Sequence, residues 1–450
     1  MKKILTICFL MATLFTINAQ NVEPFWDNKK LGFKEKDGKV IIKPKFDDVK
    51  NFSKNHYSVK LNDKWGFVNK AGKEITPLKY DDVYIFTDGF ASVMLNDKYG
   101  FIDQDGKEIT PIKYDDEGNF SGGFAFVKLN GKYGFIDTVG KEITALKYDD
   151  VGKFIDGFAF VKQNGKYGFI NTVGKEITPL KYDGIGNFKN GLAYVAQNDK
   201  HGYVDTSGKE IIALKYDKIG VISNGYAFVK LNNKFGFVNT SGKEITPQKY
   251  DAVEGFSEGF ASVKLNDKYS FVDRFGKEIT PLKYDGVTYF LGGHAGVKLN
   301  GKWGFIDQSG EEVIPFKYGA VGLFDQGLVV VEMNGKSGCI DKTGKEIIPL
   351  KYDSLGKFVE GLSGASLDGK YGFIDRTGKE IIPLKYDSVN SFSDGLAYVK
   401  KDGKWGFVNL SGKLVIPLKY DDADFFKDGT AKVRLDGRFF YIDKNGKEVK

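Results

Sequence analysis

The sequence predicts an all-β tandem array, and three observations carry that prediction. A basic residue recurs every 34 positions without insertion or deletion, at Lys30, Lys64, Lys98, Lys132, Lys166, Lys200, Lys234, Lys268, Lys302, Lys336, Lys370, Lys404 and Arg438. Within the period, turn residues such as Asn130-Gly131 separate runs of alternating strand formers. Folding those runs into a hairpin leaves both faces apolar. Thirteen three-stranded antiparallel β-meanders, stacked face to face as an open superhelical, solenoid-like array, satisfy all three; closed propeller-like toroids are the alternative.

The elements follow in chain order. Residues 1–19 read as a secretory signal peptide. Lys2 and Lys3 form its positive end, and Ile4 to Ile17 form an apolar stretch too short to span a bilayer. Ala19 then offers a small residue before the cut. The mature chain is expected to run from 20 to 450 as one continuous array, with no transmembrane segment. Numbering each unit from its basic residue as place one, the consensus is K-[WYF]-G-F-[IV]-[DN]-x-x-G-K-E-I-[TI]-P-L-K-Y-D-x-[VI]-x-x-F-x-x-G-[FL]-A-x-V-K-L-[ND]-[GD]. Phe124 to Leu129 and Lys132 to Asp137 are paired strands, because Asn130-Gly131 between them tolerates the positive φ of a tight hairpin. Asp137 to Lys141 is a three-residue loop with Gly140 left-handed beside a bulge. Glu142-Ile143-Thr144 makes a third strand. Lys147-Tyr148-Asp149 and Phe154 lie in a connector that has room for a short fourth.

Pairing across Asn130-Gly131 sorts the side chains. Ala125, Val127, Leu129, Gly134 and Ile136 share one face; Phe124, Phe126, Tyr133 and Phe135 share the other. A free-standing sheet keeps one polar face, so each meander is expected to lie between neighbours. The glycine at place three (Gly66, Gly134, Gly304, Gly406) is expected to leave room for a ring from the adjacent unit.

Composition excludes several classes. Of 66 aromatic residues, 55 fall on six of the 34 places, so the aromatic excess belongs to the repeat. Two cysteines rule out a disulfide scaffold or a zinc ribbon, and three histidines leave little for a metal site. The net charge of +7 is small for this length, and arginine is limited to Arg274, Arg376, Arg434 and Arg438. Clamps for phosphate are therefore scarce, and no nucleic acid is expected. No cofactor or metal is expected either. The Asp/Asn-x-x-Gly-Lys-Glu stretch matches neither a calcium loop nor a phosphate loop and reads as a turn. Lys-Tyr-Asp reads as local ion pairing around a buried ring. The place-two aromatics, His56, His201 and His294 read as core, and Cys339, on a place held by phenylalanine elsewhere, as a buried inert thiol.

The pattern resembles the WG (KWG) repeat, named for the dipeptide present here as Trp65-Gly66, Trp303-Gly304 and Trp405-Gly406. The resemblance covers about residues 25–450. It implies an all-β repeat protein of the kind found in exported or envelope-associated bacterial proteins, with no catalytic residues to carry over. Leu31, His201 and Ser337 depart from the aromatic, and Ser270 and Phe440 from the glycine.

Repeat-variable places are expected to carry specificity. They include the turn residues Lys70, Gln104, Arg274, Gln308 and Arg376, and the connector residues Tyr84, Lys153, Tyr289 and Lys357. Among these, Tyr84, Tyr289, Lys153, Lys357, Arg274 and Arg376 form the expected binding surface, with the rings of Tyr84 and Tyr289 exposed. The expected function is that of a non-enzymatic binding or scaffold module acting by protein–protein interaction at the bacterial envelope. Binding of carbohydrate or cell-wall polysaccharide, and a structural spacer, are the alternatives. Carboxylates are plentiful but alike in every copy, whereas a catalytic pair is expected to break the repeat.

Overall fold

The computed structural model describes residues 22–52, 56–69 and 72–449. The leader, Cys8 and Lys70 lie outside them. The chain forms two compact units that divide between Lys215 and Tyr216, and both are built from the same repeat. Every regular element among the described residues is a β-strand, arranged as 13 antiparallel sheets of three or four strands.

One repeat shows the plan. Gly286–Val287, His294–Leu299, Lys302–Asp307 and Glu312–Tyr318 pair in that order. The connector therefore holds a short strand on the edge of the next hairpin. The hairpin register is the expected one: Ala125 faces Ile136, Val127 faces Gly134 and Phe126 faces Phe135. Asn130 and Gly131 both have positive φ. The second turn is an Asx turn, with the Asp137 carboxylate accepting the Val139 and Lys141 N–H groups at 3.0 and 2.9 Å.

The outer strand bulges. Trp303 faces Tyr318 and Phe305 faces Ile314, so two steps on one strand span four on its neighbour. Proline at the centre of this stretch (Pro315) cannot donate to the ladder, and the backbone arches over place three. A Cβ on Gly406 would lie 2.6 Å from the Ile416 carbonyl oxygen and 2.8 Å from the Leu418 nitrogen. The expectation that this glycine admits a neighbour's ring is therefore corrected: it admits the outer strand of its own unit. Ser270 fits there by donating its hydroxyl to the Thr280 carbonyl. Phe440 fits because the strand beside it is only Glu448–Val449.

Close approach between units occurs instead at place nine, which is glycine in all 13 copies. Gly140 has φ +77, and a Cβ on it would overlap the carbonyl of Ile109, on the outer segment of the preceding unit. Within each compact unit the aromatic face of one repeat packs on the aliphatic face of the next. Phe135, Tyr148 and Phe154 pack with Ala159, Val161 and Ile170.

Polar contacts follow the same period. Asp149 accepts from Lys132 Nζ at 2.5 Å and from the Asn164 N–H at 2.6 Å, tying a strand to a hairpin tip. Where Gly319 replaces that aspartate, Glu332 fills the space and accepts from the Gly335 N–H at 2.8 Å. Between units, Glu176 accepts from Lys147 Nζ at 2.8 Å and from the buried Tyr148 hydroxyl at 3.0 Å. The Lys-Tyr-Asp pairing thus reaches into the following unit as well as staying local.

Burial raises several phenols at this place, Tyr80, Tyr148, Tyr216 and Tyr250 among them, with Tyr114 and Tyr182 pushed up to about 12 from 10. A raised folded-state value gives stability that is complete below the unfolded value and lost as pH rises through the folded one. The β-sheet circular dichroism signal is accordingly expected to hold to about pH 10 and to collapse by about pH 12–13 together with tyrosinate absorbance. Full tyrosine ionisation by about pH 11 with the sheet signal intact would contradict this assignment.

Candidate binding edge

In the turn at places six to ten, the place-six carboxylate or amide accepts from the backbone N–H groups of places eight and ten, as Asp137 does from Val139 and Lys141, so the side chains of places seven and eight are free to vary. Most copies put polar residues at place eight, but Val139 and Val173 are 73% exposed there and Phe275 is 82% exposed. Exposed apolar side chains at positions the turn leaves free are available for contact with a partner.

Tips of this kind border a groove that recurs at three positions, one of them lined in part by Phe275. It is lined by His56, Lys73 and Gln104 at one position, by Phe260, Lys277 and Gln308 at a second, and by Leu396, Lys413 and Lys444 at a third. In each case the wall comes from the end of one connector, the floor from the turn and outer strand of the next unit, and the far rim from places seven and eight of the unit after. The grooves enclose about 350 to 500 Å³. Their floor repeats and their rims differ, so one scaffold presents a series of related but distinct surfaces.

Of the residues expected to form the binding surface, Arg274 stands exposed beside Phe275 on the turn that floors one groove. Lys153 is exposed on its connector. Tyr289, 47% exposed, and Lys357 line one separate cavity. Arg376 is half-buried, with Nη1 donating to the Asp325 carbonyl at 3.0 Å, Nη2 paired to the same residue's carboxylate, and the guanidinium 4.8 Å from the Phe358 ring. Tyr84 is half-buried rather than exposed. Its ring lies 6.1 Å from that of Tyr99, with Lys50 Nζ 5.2 Å from its centre, and burial raises its phenol. The next unit's place-two ring covers it.

The place-two rings themselves are mostly half-buried, most with a lysine over the face, as Lys128 sits 4.7 Å from the Tyr133 ring centre. They are less enclosed than a core reading expects. His56 stacks on Phe86 at 4.4 Å, His294 packs tilted against Phe324 at 4.9 Å, and His201 meets the Tyr194 hydroxyl. Cys339 is fully buried and its thiol is pushed up to about 12 by burial. Among the described residues no group of His, Cys, Asp or Glu could hold a metal ion, and no helix is long and apolar enough to cross a membrane. Sequence reasoning picked out places seven and eight as variable but missed the exposed apolar side chains at place eight. The signal was present as valine or phenylalanine where other copies carry serine or threonine.

Comparison with known proteins follows from this geometry. The family model described as a WG-containing repeat matches twelve consecutive segments, from 32–65 through 405–439. No curated protein matches in sequence. Among solved structures, the chain is similar to a eukaryotic initiation factor, at 12% identity over 65% of this chain and 94% of that one, with a TM-score of 0.33. PorZ, a bacterial surface component of the type-IX secretion system of Porphyromonas gingivalis, matches at 9% identity over 94% and 78%, with a TM-score of 0.22. Hsv2p of Kluyveromyces lactis matches at 11% identity over 49% and 90%, with a TM-score of 0.27. The chain belongs to the WG-repeat family.

Proposed function

We propose that this WG-repeat chain is an exported, non-enzymatic binding or scaffold protein of a bacterial envelope, and that its repeated tip grooves engage a protein partner. The observation that carries this reading is the recurrence of one groove with a constant floor and variable rims, lined in one case by the exposed Phe275, with exposed Val139 and Val173 at the equivalent turns of other repeats. Several weak, similar contacts along one chain add by raising the effective concentration of each next contact. The lysine ends at residues 2 and 3 and the apolar stretch behind them support export. The repeated carboxylates support a role without chemistry, since Asp149 and Glu176 are committed to lysine, tyrosine and backbone partners.

The test immobilises residues 20–450 and presents envelope protein extract and, separately, cell-wall and capsular polysaccharide. A saturable protein partner is expected. Its retention should fall at least tenfold when Val139, Val173 and Phe275 are all changed to serine, while the melting temperature stays within about 2 °C because exposed sites contribute little to stability. Polysaccharide retention without a protein partner would replace this reading with a lectin-like one. Silence from both would leave a spacer.

A further inference from the structure

One unit departs from the aromatic packing of the others. The phenylalanine at place 23 normally meets the ring at place four of its own unit, with centroids 4.8 to 5.1 Å apart. In seven units it also meets a ring at place 27 of the preceding unit, at 4.4 to 4.9 Å. Where leucine takes place 27, as at Leu362 and Leu396, the place-four ring remains, and Phe373 and Phe407 still pack on Phe392 and Phe426. Only around Phe358, among the described residues, are both rings gone. Place four is Cys339 and place 27 is Leu328.

The missing rings leave space. A cavity of about 350 Å³ opens there, lined by Phe358, Cys339, Leu328, Val330, Phe324 and Tyr289. It lies wholly within the second compact unit. Its wall is mostly carbon, and the buried thiol stays protonated at neutral pH and behaves as a small apolar group. Arg376 holds the Phe358 ring from outside by stacking on it while paired to Asp325. Lys357 and Asp325 stand at the rim.

We infer that this cavity binds a small molecule bearing one planar aromatic ring, which takes the place of the two rings the other repeats supply around Phe358. Three features on this surface fit that class. The volume is that of a small-ligand site. A ring stacks on or against a ring more favourably than an aliphatic group of the same size does. Apolar cavities left by the loss of a large side chain take up benzene-sized molecules. The site is separate from the tip grooves and does not rest on the protein-binding reading.

The experiment titrates residues 20–450 with indole and with p-cresol, using calorimetry and ligand-observed NMR. Saturable one-to-one binding is expected, with cyclohexanol binding at least fivefold more weakly. Cys339→Phe restores the ring of the other repeats; it should weaken indole at least tenfold and raise the melting temperature. Leu328→Phe fills the cavity from the other side and serves if the first variant does not fold. No saturable binding of either aromatic probe would overturn the inference, as would binding left unchanged by both substitutions.

Discussion

A chain lacking residues 166–199 melts as one that has lost a repeat and kept its fold; a chain lacking only 166–182 loses the cooperative melting of the repeats around the cut, while the unit from Tyr216 onward keeps its own transition. The first deletion joins Gly165 to Lys200, which renews the same hairpin tip. Phe158–Gln163 then pairs with Lys200–Asp205 in the old register. Lys147 and Tyr148, which meet Glu176, find Glu210 at the equivalent place. Contacts are local and repeat, so one unit's contribution is lost and the neighbouring interfaces are remade. A fall of a few degrees in melting temperature is expected. The second deletion joins Gly165 to Asp183. It removes the partner strand of Phe158–Gln163 along with Phe169, Ile170 and Tyr182, all fully buried. At roughly 1.5–3 kcal/mol for each large buried side chain, about 5–9 kcal/mol is lost. That compares with a total of about 5–15 kcal/mol for an ordinary domain. Circular dichroism melts of the two proteins decide the matter: coincident curves would refute the stacked-unit construction.

Gly140→Val is expected to be the most damaging single substitution considered, and Gly131→Ala a mild one, although both glycines have φ +77. Left-handed backbone costs a non-glycine residue about 1–2 kcal/mol in either case. At Gly131 nothing lies within 4 Å of an added Cβ, so that cost stands alone. At Gly140 the added atoms run into the Ile109 carbonyl and the Thr110 side chain of the preceding unit. Backbone cannot move aside cheaply, and overpacking adds about 1–3 kcal/mol or more. Urea denaturation should give a difference of at least about 2 kcal/mol between the two variants. Equal midpoints would mean that place nine is glycine for its turn alone and that the units do not touch there.

Much of this architecture was legible because the repeat supplies thirteen readings of the same local rule. Asn130-Gly131 and Gly140 announce their turns in single residues, and alternation across the hairpin gives the faces. Gly134 was misread because its neighbour depends on a bulge. Strand alternation carries no information about two extra residues on the outer strand, though the proline at the centre of most outer segments was a hint that the ladder breaks there. Tyr84 was misread for a related reason: its place in the period is variable, but the ring that covers it belongs to the next unit, 15 residues on. The candidate edge was half legible. Variability at places seven and eight pointed to it, while the groove floor consists of residues that read as purely structural. The cavity beside Phe358 was present in the sequence as Cys339 and Leu328, yet the two are 11 positions apart, and their joint effect needs the knowledge that both touch one ring.

The order of strands within each sheet bears on force. The chain enters a sheet by its short connector strand and leaves by the outer strand, as at Gly286–Val287 and Glu312–Tyr318, on opposite edges. A single residue, Gly319, then leads to Ala320–Val321 of the next. Tension between the ends therefore acts across the strands rather than along them, and hydrogen bonds break in succession instead of together. Each unit peels at low load and releases about 110–120 Å of chain, taking 34 residues at their extended length. A protein so built yields stepwise under pull, with undisturbed units still folded beside those that have opened.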